Sequence, residues 1–116
     1  MVYEADKTPV TDNALCEVYL SMAQQSSVEL RVTIQSRVSG QERPCGRKVN
    51  VMKMTANGES EVVDSVEMTT GDGRKSVTLK LSNIADSKQL TAVAVDSQGK
   101  AMGQSERKEL QINTTL

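Results

Sequence analysis

The sequence predicts an all-β chain folded as a two-sheet antiparallel sandwich of about seven strands. Three observations carry this expectation. In the stretch from Val28 to Val38, apolar Val28, Leu30, Val32, Ile34 and Val38 alternate with polar Glu29, Arg31, Thr33, Gln35 and Arg37. A period of two puts one set on each face of an extended strand; a helix would scatter the apolar set around its axis, and Val, Ile and Thr favour the pleated surface. Turn signals built on Gly, Pro and Asn recur at intervals of about 8–12 residues, a spacing that suits short strands. Finally, Gln89-Leu90-Thr91-Ala92-Val93-Ala94-Val95-Asp96 is apolar on both faces, the pattern of a central strand.

Taken in order, residues 1–13 are polar, contain Pro9 and offer only Val2, Tyr3 and Val10 as anchors, so they read as an N-terminal arm or irregular edge before a single domain over 14–116. The segment from Ala14 to Ala23 carries two patterns. With period two, Cys16, Val18, Leu20 and Met22 face inward; with helical period, Ala14, Leu15, Val18, Tyr19, Met22 and Ala23 form a stripe behind the N-capping residues Thr11-Asp12-Asn13. The strand is preferred because it pairs with 28–38 through the polar turn from Ala23 to Ser27, and a helix at 13–25 in an α+β chain is the alternative. The loop from Ser39 to Gly46 is long enough to cross between sheets.

Arg47 to Met54 follows as a strand with Val49 and Val51 on one side and Met52 and Met54 on the other. Asn57-Gly58 predicts a type I′ hairpin. The return strand from Ser60 to Thr69 has Val62, Val66 and Met68 on one face and Val63 on the other, and Gly71-Asp72-Gly73 reads as the next hairpin turn. In Arg74 to Leu81, Val77, Leu79 and Leu81 point inward. The polar connection from Ser82 to Lys88, anchored by Ile84, suits a passage from one sheet to the other. After the turn from Asp96 to Lys100, the segment from Glu106 to Asn113 closes the domain with Leu110 and Ile112 in step. Being longer than the typical strand of about five or six residues, 28–38 is expected to pair on both edges.

Ser76-Val77-Thr78-Leu79-Lys80-Leu81 and the run from Leu90 through Val95-Asp96-Ser97-Gln98-Gly99-Lys100 resemble the last three strands of immunoglobulin-like domains, above all those of bacterial surface proteins and of phage virion decoration or tail proteins. The resemblance extends loosely over residues 28–113. It implies an immunoglobulin-like sandwich and a structural or adhesive role, and it supplies no catalytic residue. The chain departs from antibody-type domains in having no Trp, no cysteine in either central strand and no tyrosine near Leu90.

Composition narrows the chemistry. A chain of 116 residues suits one domain. Only Tyr3 and Tyr19 are aromatic, so the core is expected to be aliphatic, with Met52, Met54 and Met68 assigned to filling it. Fourteen basic and fifteen acidic side chains mix along the sequence, which disfavours a nucleic-acid partner. No apolar run approaches about 18 residues, so no membrane insertion is expected, and Met1 to Lys7 shows no signal-peptide pattern. Without histidine, neither a Ser-His-Asp nor a Cys-His arrangement can be assembled. No glycine run precedes a Lys-Ser/Thr pair, so no phosphate loop is expected. Two cysteines fall short of a zinc site. Asp64, Asp72, Asp86 and Asp96 lack calcium-loop spacing and are ordinary turn residues. No cofactor is expected. Cys16 and Cys45 fit either one bridge or two reduced thiols. Asn113-Thr114-Thr115 matches a glycosylation sequon.

The expected function is that of a non-catalytic module of an extracellular, cell-surface or virion assembly. It would bind a protein or surface glycan through the loops at Asn57-Gly58, Gly71-Asp72-Gly73 and Ser97-Gln98-Gly99, or through an exposed sheet face. The alternative is an α+β accessory or regulatory domain in which a helix at 13–25 packs on an antiparallel sheet and serves as a partner-binding surface; a small histidine-free enzyme acting through Lys and Asp is a third reading. The outward stripe of Arg31, Thr33, Gln35 and Arg37 is read as a solvated face.

Overall fold

Alternation along 28–38 sets the architecture. The computed structural model describes residues 16–68 and 73–112, and these form two antiparallel sheets with no α-helix among them. The first sheet contains β1 (Cys16–Gln24), β2 (Glu29–Val38), β3 (Gln41–Glu42) and β6 (Arg74–Lys80); the second contains β4 (Lys48–Thr55), β5 (Ser60–Glu67), β7 (Ser87–Val95), β8 (Ala101–Gln104) and β9 (Lys108–Glu109). In the first, β1 lies on one edge of β2, while β6 and β3 follow each other along the opposite edge. The second has the order β5-β4-β7-β8, with β9 continuing the line of β8 beside β7. Across the sandwich β1 lies against β7 and β8, and β6 against β5.

The helical alternative at 13–25 is overturned from Cys16 onward. Pairing runs from Cys16 opposite Val38 to Gln24 opposite Leu30, which satisfies the backbone of β1 in an extended form. Cys16, Val18 and Leu20 turn inward while Glu17, Tyr19 and Ser21 face solvent. Ala14, Leu15, the arm at 1–13, and the sequon at Asn113 lie outside the described residues. Leu30, Val32 and Ile34 meet Val49, Val51, Leu90, Ala92 and Ala94 in one aliphatic core, joined by Met68 and Ile84. Val28 departs from the expected stripe. It precedes β2, is 62% exposed, and its carbonyl accepts the N–H of Leu81 at the end of the sandwich.

The turns also differ from expectation. The type I′ turn is at Ser39-Gly40, where φ is +54° and +82° and Val38 pairs with Gln41, so the loop from Ser39 to Gly46 folds back before it crosses. At 55–59 only Gly58 has positive φ, its N–H donates to the Thr55 carbonyl (3.0 Å), and the Thr55 N–H donates to that of Glu59 (2.9 Å). This is a type I turn with a glycine bulge, a three-residue loop in which Asn57 keeps ordinary φ. Asp96 to Lys100 repeats the device, with Asp96 Oδ1 also accepting the N–H groups of Gln98 and Lys100. Gly73 does not close a hairpin, because β5 and β6 belong to different sheets.

Two buried serines join interrupted edges. Opposite Ser36, β6 ends its pairing and β3 begins; Ser36 donates its N–H to Gly73 O (2.8 Å), accepts the Arg43 N–H (3.2 Å), and its hydroxyl donates to Arg43 O. A Cβ on Gly73 would stand 2.6 Å from the Arg43 carbonyl, so only glycine fits this junction, and the Arg74–Glu42 ion pair (2.9 Å) closes over it. In the second sheet Ser105 fills the break between β8 and β9, its hydroxyl accepting the Ala92 N–H (2.9 Å) and donating to Glu106 O (3.0 Å).

Cys16 and Cys45 form a disulfide, with Cα atoms 6.2 Å apart and both residues buried. It ties β1 to the crossing segment just before Arg47 docks on the Val95 carbonyl (2.8 Å). At the same end, a Cβ on Gly103 would lie 2.6 Å from Cys16 O, so this glycine lets β8 approach β1.

The opposite end is capped by Lys53. Its side chain is 12% exposed, and its ammonium donates to Asn83 O (3.2 Å) and Asp86 Oδ1 (3.0 Å), with Glu61 at 3.8 Å. The hydrogen bond from Lys53 holds the Asp86 carboxyl below its ordinary pKa of 3.8. A pKa lower in the folded than in the unfolded chain contributes stability above pH 3.8, lost as pH falls through the folded value. Asp86→Asn is therefore expected to lower Tm slightly at neutral pH and to match the parent chain in strong acid; thermal melts of both across acid pH test this. The effect is small because the carboxylate is largely solvated.

Candidate docking face

The two outer faces differ in chemistry. On the first sheet Glu17 stands opposite Arg37 and Glu29 opposite Lys80, while Thr33 and Ser76 share a hydroxyl hydrogen bond of 3.1 Å. Opposite charges facing each other across strands are what a solvated surface of mixed sign looks like.

The outer face of the second sheet has a centre without charge. Alternation places Asn50, Met52 and Met54 of β4 outward, opposite Val93, Thr91 and Gln89 of β7. Across β4's other edge stand Ser65, Val62 and Ser60. Val62 is there because of a bulge: Val51 pairs with Asp64 but Met52 with Val62, so Val63 is an extra residue. Regular alternation from Val66 would turn Val62 inward. Instead Val63 packs against the core, and Val62 stands outside, 52% exposed, beside Met52. The expected assignment of Val62 to the core face, with Val63 opposite, is thus reversed. Of the methionines assigned to the core, only Met68 is fully buried; Met52 and Met54 flank a shallow cleft of about 270 Å³ with Val93, Gln104 and Arg107.

The polar groups of this face satisfy one another. Ser65 Oγ donates to Asn50 Oδ1 (2.7 Å), Gln89 Nε2 donates to Glu109 Oε2 (2.9 Å), and Thr91 Oγ1 donates to the Ser105 carbonyl (3.0 Å). The result is an apolar strip of two methionines and two valines set among amides and hydroxyls, with the charged Glu109 and Arg107 at its margin. Depletion of charge with enrichment of Met marks the core of protein interfaces. A second groove, of about 510 Å³, follows the seam where β1 faces β8 and β9, between Tyr19 and Glu106.

The loops expected to bind do not form one surface. Asn57-Gly58 lies at the Lys53 end; Ser97-Gln98-Gly99 and Gly73 lie at the disulfide end. Gly73 is buried at the Ser36 junction, and Gly71 and Asp72 are outside the described residues. Asp86 and Asp96 are likewise at opposite ends, and among the described residues no three His, Cys, Asp or Glu side chains gather to hold a metal. Sequence reasoning allowed for an exposed sheet face but did not place it on the second sheet or assign Val62 to it. The doublet Val62-Val63 signals that one of the two leaves the core face, since adjacent residues of a regular strand cannot both face the core, but not which one.

Comparison of the chain with family models, with curated proteins and with solved structures finds no match.

Proposed function

We propose that this chain is a non-catalytic, immunoglobulin-like module that serves as a structural or adhesive unit of a surface assembly, of the bacterial-surface or virion-decoration kind. The observation that carries the reading is the apolar strip of Met52, Met54, Val62 and Val93 on the outer face of the second sheet. The strand arrangement supports the immunoglobulin-like part: β1, β2 and β6 oppose β5, β4, β7 and β8, with three passages between sheets, as in Greek-key sandwiches. The docking partner is read as a protein, because the face offers flexible methionines and paired amides in place of aromatic rings.

Val62→Lys tests this reading. A charge at an exposed position is expected to leave stability within about 0.5 kcal/mol, yet to weaken binding of the labelled domain to the intact surface of its source about tenfold or more. Arg31→Ala, on the other sheet, is expected to bind as the parent does. Binding lost by Arg31→Ala and kept by Val62→Lys would move the docking site to the first sheet. A parent domain that binds no surface component and no neighbouring domain would overturn the module reading.

A further inference from the structure

Beyond the docking face, the lateral side of the sandwich formed by β5 and β6 carries information of its own. Among the described residues β5 pairs only with β4 and β6 only with β2, so each presents a free edge, and the two edges lie side by side. Their charges are opposite. From Glu59 to Glu67 the chain carries Glu59, Glu61, Asp64 and Glu67, and no Lys or Arg occurs between Lys53 and Arg74. From Arg74 to Lys80 it carries Arg74, Lys75 and Lys80, and no Asp or Glu occurs between Asp72 and Asp86. Among the described residues Glu61 reaches Lys53 on β4, and Arg74 reaches Glu42 on β3.

Charged edge strands usually serve to block edge-to-edge pairing. One sign per edge does so selectively, since it opposes β5 on β5 and β6 on β6 but favours β5 on β6. We propose that two copies of this chain associate through this side, about a twofold axis parallel to the strands. That axis carries the β6 of one copy onto the β5 of the other and repeats the contact on the second pair, so the interface is isologous and closed. Because β5 and β6 run in opposite directions within one chain, both new pairings are antiparallel. Glu67 then meets the end at Arg74 and Lys75, and Glu59 and Glu61 meet Lys80. A twofold axis perpendicular to the strands would instead set acid against acid and base against base, so charge selects the first arrangement. Each sheet of one copy continues into the opposite sheet of the other. The contact leaves the outer face with Met52 and Val62 free, so it holds or fails independently of the docking function.

Sedimentation velocity over a concentration series tests the proposal. The parent chain is expected to form a dimer whose dissociation constant rises on the order of tenfold between low and high salt, because exposed charges are screened. Lys75→Glu with Lys80→Glu, and separately Glu59→Lys with Glu67→Lys, are each expected to be monomeric while keeping the parent's circular dichroism. Mixing the two variants restores opposite charge on both pairings and is expected to return a one-to-one heterodimer. If the charge reversals unfold the chain, Lys75→Gln with Lys80→Gln supplies the comparison and is expected to weaken the dimer. A monomeric parent at every concentration, a dimer indifferent to these substitutions, or a mixture of folded variants that stays monomeric would each overturn it.

Discussion

The Ile34→Asp chain is expected to show no cooperative thermal transition, while Arg31→Ala melts close to the parent. Ile34 is fully buried on the central strand of the first sheet, between β1 and β6. Losing its side chain removes about 1.5–3 kcal/mol of apolar burial. The carboxyl then has no partner in an aliphatic core and must either remain charged there or take up a proton, and both are costly. The total passes about 4–5 kcal/mol, comparable to the whole stability of a small domain, about 5–15 kcal/mol. Arg31 faces outward, opposite Ala23 and Thr78, where truncation changes little. Thermal melts followed by circular dichroism decide the matter; the reverse outcome would mean that the inward face of β2 is assigned to the wrong residues.

Reducing the Cys16–Cys45 bridge, or replacing Cys45 with serine, is expected to lower stability by about 3.5 kcal/mol from loop closure alone. The bridge closes a loop with a sequence separation of 29 and restrains the unfolded chain more than it adds contacts to the folded one. Cys45→Ser adds a further cost, about 1 kcal/mol, because a hydroxyl enters a site only 2% exposed. Urea denaturation with and without reductant measures the first effect, and the serine variant under oxidising conditions measures both. A midpoint unmoved by reductant, with two alkylated thiols by mass, would mean that the native protein holds free cysteines.

What was legible in the sequence follows from how many residues share a signal. The alternation of Leu30, Val32 and Ile34, echoed by Val77 and Leu79, fixes two strands and their inward face, because one sheet face is buried over several residues at once. β7 was legible as central because apolar residues stand on both of its faces, and it pairs with β4 on one edge and with β8 and β9 on the other. The passage around Ile84 was legible because one apolar residue in a polar connection needs a core to enter. Elements resting on one or two residues were not. β8 consists of Ala101, Met102, Gly103 and Gln104, too short to alternate and reliant on glycine for its approach to Cys16. β3 is a two-residue pairing created by the turn at Ser39-Gly40, where serine takes a left-handed conformation that its identity does not announce. Ser36 and Ser105 look like ordinary polar residues, yet each is buried to join two pieces of an interrupted edge.

The candidate site was the least legible part. Val62 reaches the surface through the pairing of Val51 with Asp64 and Met52 with Val62, a register shift between strands that no periodicity within β5 reports. Met52 and Met54 have core-like identities and lie outside the core for the simple reason that Val49 and Val51 already occupy the inward positions of β4.

The bridge between Cys16 and Cys45 also gives the chain the topology of a lariat. β1, β2 and β3 lie within a covalent ring, and every strand of the second sheet lies on the tail. Among the described residues β6 is the single strand of the tail that returns to pair with the ring. One cut in the backbone between the cysteines, at the exposed turn before β2 for example, opens the ring but leaves one covalent molecule. A cut at the exposed Asn57-Gly58 turn divides it in two, with β6 on the piece that no covalent bond holds. The integrity of the second sheet thus rests on an unbroken backbone, whereas the β1–β2 hairpin survives a nick.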